Sequence, residues 1–294
     1  MKAAVVTGVS SGIGRATAQL LAAEGWHIFG SVRRSEDARH LASRLGDRFT
    51  PLLFDLTNAE AIEAAARDVS AALRGRRLLG LVNNAGIAHF GPLALQPIDD
   101  WRAQIDVNLV GTLRVVQAFL PLLGSDPARS GPPGRIVNIS SVSGRMTLPF
   151  ASGYAASKHG LEALSDAMRY ELAIFGIRTV VIQPGPVRTP IWGKVRRPEG
   201  AFYANTEYGS LFERFQASFI AAGRDAHSPE SFARLVRKAL TTRRPRARYT
   251  RVRHRFRNWT LPRLMPAWLV DRIVERHFGL VAIDRKADAE RKTV

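Results

Sequence analysis

Short apolar runs alternate along this chain with longer stretches in which apolar residues recur at helical spacing. The runs fall near residues 2–7, 27–32, 50–54, 78–82, 134–140 and 177–183, and Leu78-Leu79-Gly80-Leu81-Val82 has no polar side chain at all. Unbroken rather than alternating hydrophobicity is what a strand needs when helices cover both faces of its sheet. The helical patterns fall near 13–24, 36–45, 58–74, 98–123, 152–175 and 228–240. Strands and helices in alternation predict βαβ units. The fixed hand of their crossovers then predicts an α/β fold built on a doubly wound parallel sheet. Residues 124–134, rich in Gly, Pro, Ser and Asp, read as a surface loop. Residues 190–225 break the alternation and carry Trp192, Phe202, Tyr203, Tyr208, Phe212 and Phe215.

Composition narrows the class without naming it. With 46% hydrophobic residues in 294, the chain can bury a sizeable core, which excludes general disorder. It has no cysteine, so disulfides, thiolate catalysis and Cys-ligated metals are excluded. A strand pattern beginning almost at Met1 gives the expectation of no signal peptide, and the two observations together favour a cytoplasmic location. The most apolar stretch, Leu109 to Leu123, carries Arg114 and Gln117, so no spanning helix is expected. Net charge is +18, from 43 basic and 25 acidic residues, and 37 of the basic ones are arginine. Nine arginines and no acid lie between 243 and 263. Such a balance attracts anions, whether phosphates, nucleic acid or acidic lipid, though dispersed surface arginines give the same total with no partner.

Two features bring in chemistry. The first strand runs into Thr7-Gly8-Val9-Ser10-Ser11-Gly12-Ile13-Gly14, where a helical pattern starts. Glycines there let backbone N–H groups approach a pyrophosphate, which a helix N-terminus attracts through its orphan donors and dipole. The spacing G-x-x-x-G-x-G departs from the general G-x-G-x-x-G fingerprint, so alone it is weak evidence, with a structural turn as the competing reading. Later, Tyr154 and Lys158 stand four apart on a predicted helix, with both side chains on one face. A free phenol titrates near about 10. A neighbouring ammonium should favour the phenolate and bring that value down, equipping Tyr154 to move a proton. Ser141, thirteen residues before Tyr154, follows the strand ending in Ser140 and sits at the carboxyl edge of the sheet, where ligands bind in such folds. Ser140 competes for the same place.

Taken together, these motifs resemble the short-chain dehydrogenase/reductase family. The match comprises Thr7-Gly8-x-x-x-Gly12-Ile13-Gly14, Asn83-Asn84-Ala85-Gly86, the Ser141/Tyr154/Lys158 set and Pro184-Gly185-Pro186-Val187-Arg188-Thr189, in order over residues 2–190. The resemblance implies a Rossmann fold in a single domain. Residues 1–242 would form the dinucleotide-binding catalytic part, with a substrate lid near 190–225, and 243–294 a basic extension packed on it. It implies hydride transfer between a nicotinamide and a carbonyl or alcohol carbon, Tyr154 giving or taking the proton on oxygen and Ser141 holding that oxygen. Lys158 would also donate to the nicotinamide ribose. Asn108, a poor residue for the middle of a helix, would anchor a water that relays protons to Lys158.

The same resemblance assigns the cofactor contacts. Gly8, Ser10, Ser11, Gly12, Ile13 and Gly14 would face the pyrophosphate, and Asp55 with Leu56 the adenine. Asn83, Ala85 and Gly86 would line the adenosine side, and Pro184, Gly185, Val187 and Thr189 the nicotinamide. Asp55 fits equally as an acid capping the next helix. Homodimers or homotetramers through 98–123 and 152–175 are implied by the family alone. The end of the second strand selects between coenzymes, because a carboxylate there holds the ribose 2′-hydroxyl and an arginine takes a 2′-phosphate. Ser31-Val32-Arg33-Arg34 offers no acid before Glu36, so NADP(H) is expected over NAD(H), with Arg33 as its reader. Two arginines facing solvent is the competing reading. Ser35 and Asp37 read as helix-start residues, and His159 as a surface histidine.

The chain continues for 45 residues past Tyr249. That ending resembles the branch acting on lipophilic alcohols and ketones, the steroid and retinol dehydrogenases, more than the 3-oxoacyl thioester reductases that remain the alternative. The aromatic residues of 190–225 read either as an apolar lid or as ordinary core. Arg251, Arg253, Arg255 and Arg257 alternate with Val252, His254 and Phe256, which reads as a charged edge strand or as a contact with an anionic membrane surface. A non-catalytic nucleotide-sensing or nucleic-acid-binding protein on the same fold is the alternative function. The intact Ser141/Tyr154/Lys158 set argues against it, and no nucleic-acid partner is expected.

Overall fold

The computed structural model describes residues 1–189 and 199–280. Seven strands form one sheet: β1 Ala3–Val6, β2 His27–Val32, β3 Phe49–Leu53, β4 Gly80–Asn83, β5 Arg135–Ile139, β6 Arg178–Pro184 and β7 Arg248–Arg251. They pair in the order β3-β2-β1-β4-β5-β6-β7, all parallel. Adjacent residues of β1 feed opposite layers, which explains why its hydrophobicity is unbroken. Ala3 and Val5 pack with Phe29, Val115 and Phe119, whereas Ala4 and Val6 pack with Leu21, Phe232 and Val236. The first layer belongs to helices α3 (Ala59–Leu73) and α4 (Ile98–Ser125), the second to α1 (Gly12–Ala23), α2 (Ser35–Leu45) and α8 (Pro229–Thr241). Helix α5, Ser152–Glu171, packs beside α4 and β6. Each aliphatic side chain buried this way contributes about 1.5–3 kcal/mol relative to exposure.

Strand order runs outward in both directions from β1, so the switch point, and the crevice it opens, lies at the carboxyl ends of β1 and β4. Above that edge a third apolar cluster joins distant parts of the chain: Phe150, Tyr203, Phe212, Phe215 and Phe278. Its members come from the β5–α5 connection, from α6 (Glu199–Ala204) and α7 (Gly209–Arg224), and from α10 (Ala267–Phe278). Of the aromatic residues of 202–215, Tyr203, Phe212 and Phe215 are thus packed core, with Tyr208 against them, and Phe215 also lines the cavity, whereas Phe202 is exposed; Trp192, in 190–198, lies outside the described residues.

Two expectations change, and a third point concerns α4. The sheet has a seventh strand, β7, which places the start of the 243–294 stretch inside the fold. The alternating arginines do not continue it: the chain leaves the sheet after Arg251, turns through His254 at φ 45° and enters a π-helical turn at Phe256–Thr260, followed by α9, Leu261–Leu264. Helix α4 passes a length and composition test for a membrane span, with mean hydropathy 1.4, yet half of that window is buried inside the protein. It is a core helix, interrupted by π-helical turns at Asp106–Val110 and Pro121–Ser125.

Candidate active site

A cavity of about 690 Å³ follows the carboxyl edge of the sheet. One end is built from backbone. Gly8 and Gly12 both adopt positive φ, 68° and 56°, and carry the chain from β1 into α1. A Cβ on Gly12 would stand 2.9 Å from the Thr189 methyl, so only glycine lets that segment close over the turn. Ser11 caps α1 without a side-chain hydrogen bond, and Ser10, Ser11, Gly12 and Ile13 line the cavity, which leaves first-turn N–H groups facing it. The Gly8 N–H is fixed by the Ser31 hydroxyl at 3.0 Å. Just past β4, Asn84 donates to the Thr7 and Gly8 carbonyls at 2.9 and 3.0 Å, and Thr7 Oγ1 accepts from the N–H groups of Asn84 and Ala85. Such a cradle fits a dinucleotide: open donors, no side chain in the way, and strand ends holding the turn.

At the adenosine end, Arg33 and Asp55 line the cavity and face each other at 3.7 Å. Burial acts to raise the Asp55 carboxyl, but two hydrogen bonds from Thr57 and the nearby Arg33 guanidinium outweigh it and hold the group below its ordinary value. Arg34 instead points out and pairs with Asp37 at 3.0 Å. The two arginines therefore divide: one faces the cavity, the other solvent.

The other expected contacts also line the cavity: Leu56, Ala85, Gly86, Pro184, Gly185, Val187 and Thr189 do, as do Ser141, Tyr154 and Lys158. Three do not. Asn83 ends β4 with its side chain inside the sheet, donating to Asn138 Oδ1 at 2.8 Å, because the register pairs the two residues. Asn84, one residue on, takes the cavity-facing place. Gly14 lies behind the turn, where a Cβ would meet the Gly8 carbonyl at 2.3 Å and Asn84 Nδ2 at 2.4 Å; it is a packing glycine. Asn108 is fully buried in the first π-helical turn of α4. Its amide accepts from the Ile87 N–H at 2.8 Å and donates to the Ile87 carbonyl and to Ser157 Oγ. Its side chain thus ties α4 to the loop after β4 and to α5, directly behind Lys158.

The proton-handling group is compact. Tyr154 and Ser141 share a side-chain hydrogen bond, and the Ser143 N–H fixes Ser141 Oγ at 3.0 Å. Ser140 makes no such contact; its hydroxyl is buried without a partner among the described residues. Lys158 is buried and donates to the Ile139 carbonyl at 3.0 Å, with its nitrogen 5.8 Å from the Tyr154 ring centre. Burial lowers the Lys158 ammonium to about 8, while Glu162, one turn further along α5, acts to raise it. The expected depression of Tyr154 is not found. Burial pushes the phenol above its ordinary value, and the Ser141 hydrogen bond only partly opposes this. The reason is geometric: Lys158 is committed to a backbone carbonyl and flanks the ring instead of meeting the oxygen. Glu162 is buried as well, held by Arg248 at 2.8 Å, Arg145 at 3.4 Å and Gln183 at 3.0 Å. His159 is exposed, as expected.

Beyond Tyr154 the cavity turns aromatic. Phe90 stands 6.2 Å from the Tyr154 ring and 4.9 Å from Phe219 of α7, and Phe215 and Phe278 continue the wall. Polarity returns at Ser218 and His277, 3.4 Å apart. None of these except Phe215 was marked by a local motif.

Residues 2–200 match the family model described as short chain dehydrogenase. The chain belongs to the short-chain dehydrogenase/reductase family. It is 38% identical over 249 residues, 85% of this chain and 87% of the other, to the NADPH-dependent 3-dehydrocapnine reductase of Ornithobacterium rhinotracheale. Human retinol dehydrogenase 5 is 33% identical over 288 residues, covering 92% of this chain and 86% of that one. A crystal structure of a short-chain dehydrogenase from Streptomyces avermitilis superposes with a TM-score of 0.70 at 30% identity, over 85% and 87% of the two chains. This short-chain dehydrogenase is thus an oxidoreductase of the retinol- and steroid-dehydrogenase-like branch, a class that binds a nicotinamide cofactor and acts on small molecules. The non-catalytic alternative raised by its charge is set aside.

Proposed function

We propose that this protein reduces the carbonyl group of a lipophilic substrate with NADPH. The observation that carries the reading is the position of the Tyr154–Ser141 pair, where the backbone cradle ends and the aromatic half of the cavity begins. A bound nicotinamide supplies hydride to a carbonyl carbon. Everything else falls to the chain. Ser141 Oγ, pinned by the Ser143 N–H, holds the substrate oxygen, and Tyr154 gives it a proton. A phenol raised above its ordinary value is protonated at neutral pH, which is the form reduction requires. Lys158, donating to the Ile139 carbonyl, flanks the Tyr154 ring with its ammonium; Asn108 positions α5 through Ser157.

Preference for NADPH over NADH is supported by Arg33 at the adenosine end, by the absence of an acid before Glu36, and by the NADPH dependence of the 38%-identical 3-dehydrocapnine reductase. A lipophilic substrate is supported by the aromatic wall of Phe90, Phe215, Phe219 and Phe278. A homodimer or homotetramer through α4 and α5 belongs to the same reading.

The test is a panel of hydrophobic ketones, a short polar ketone and a 3-oxoacyl thioester, each followed by NADPH absorbance. Consumption confined to the hydrophobic ketones supports the proposal. Thioester reduction alone would replace the substrate class, and no turnover with any compound contradicts the reading.

A further inference from the structure

We propose that the segment 253–278, from the turn after β7 through α10, docks on an anionic phospholipid bilayer. Five of the thirteen exposed large hydrophobic side chains among the described residues lie in its eighteen positions 256–273: Phe256 (70%), Leu261, Leu264 (76%), Trp268 (65%) and Ile273 (49%). Only Trp259 and Phe278 of the segment are buried. The other eight are spread along the chain from Met1 to Phe202.

Charge decides what this surface fits. Arg253, Arg255, Arg257, Arg263, Arg272 and Arg276 are all exposed there, against two acids, Asp271 and Glu275. Arginines interleaved with exposed aromatic and leucine side chains suit a bilayer interface: the rings enter the headgroup region and the guanidinium groups reach anionic phosphates. The Arg263 guanidinium lies 4.8 Å from the ring centre of the buried Trp259, which fixes one of these cations to the fold. A second copy of the chain would need acidic complement for these arginines, and the segment's two acids do not supply it.

Helix α10 also forms part of the cavity wall through Ile273, Val274, His277 and Phe278. Ile273 therefore faces solvent and cavity at once, and the docking surface borders the mouth of the aromatic half. Passage of a lipophilic substrate from bilayer to cavity along this helix rests on the function proposed above; docking itself does not.

The experiment is flotation of the full chain with vesicles of phosphatidylcholine alone and of phosphatidylcholine mixed with phosphatidylserine, with NADPH turnover measured in parallel. Docking predicts flotation with the anionic vesicles only, weakened by salt and accompanied by a blue shift of tryptophan emission. Arg255→Gln with Arg257→Gln should reduce it by about fivefold per arginine. Leu264→Ser with Trp268→Ser should abolish it while NADPH binding persists. No flotation with either vesicle, or equal binding to both, overturns the proposal. So does conversion of an oligomer to monomer by the Leu264/Trp268 pair, which makes the face a subunit interface. Failed flotation with intact turnover sinks docking alone, whereas flotation without turnover sinks only the catalytic reading.

Discussion

The two ends of the cavity are made of different material. The cofactor end is backbone and short polar side chains, held by hydrogen bonds of 2.9–3.0 Å from Thr7, Asn84 and Ser31 at neighbouring strand ends. The substrate end is aromatic rings 4.9–6.3 Å apart, contributed by α5, α7, α10 and the β4–α4 connection. Directional hydrogen bonds fix one geometry, while tilted rings repack at small cost. One end is therefore suited to a constant ligand and the other to a variable one. Tyr154 stands at the junction.

The largest expected effect tests the aromatic end. Phe215 is fully buried between Phe150, Phe212 and Phe278, and Phe215→Ala should lower stability by about 3–5 kcal/mol, read as the urea unfolding midpoint. NADPH affinity of the folded fraction should stay unchanged; a parallel loss of cofactor binding would show that the two ends are not independent. Gly14→Ala makes the opposite cut. Its Cβ would meet the Gly8 carbonyl and Asn84, an overpacking of about 1–3 kcal/mol, so NADPH binding measured by fluorescence should weaken about 10- to 100-fold. Arg33→Ala should bring the kcat/KM values for NADPH and NADH closer by about fivefold, the scale of a charge-assisted hydrogen bond at an exposed site. An unchanged ratio would return Arg33 to solvent.

The smallest effect concerns pH. Lys158 carries its charge below about 8 and loses it above, so kcat/KM for NADPH should be constant at lower pH and fall as pH rises through that value. The Glu162 carboxylate favours the ammonium, so Glu162→Gln should move the fall to lower pH. A fall at the same or higher pH would remove Glu162 from the electrostatics of the site.

The same contrast governs what the sequence made legible. The cradle and six of seven strands were readable because each lies within a few consecutive residues, and the Ser141/Tyr154/Lys158 set because its spacing resembles the family motif. The aromatic wall was not, because Phe90, Phe219 and Phe278 meet only after the chain has folded over the sheet edge. The errors are instructive in the same way. Asn83 and Asn84 are indistinguishable as letters, and only the register with Asn138 sends one inward; Asn138, polar within the apolar run Ile136–Ile139, was the available signal. Gly14 belongs to the motif but serves packing. The Tyr154 value went astray because i, i+4 spacing puts two side chains on one face without saying which atom the ammonium chooses; it chose the Ile139 carbonyl. β7, four half-buried residues at the edge, offered almost no hydrophobic pattern to read.

The central claim is that the Tyr154 hydroxyl delivers the proton at this junction. It is tested most directly by Tyr154→Phe, with NADPH affinity and ketone turnover measured on the same preparation. The account predicts cofactor affinity within about twofold of the parent and turnover lower by about 10²–10⁴, the range for loss of a general acid. Turnover retained with affinity intact would contradict it.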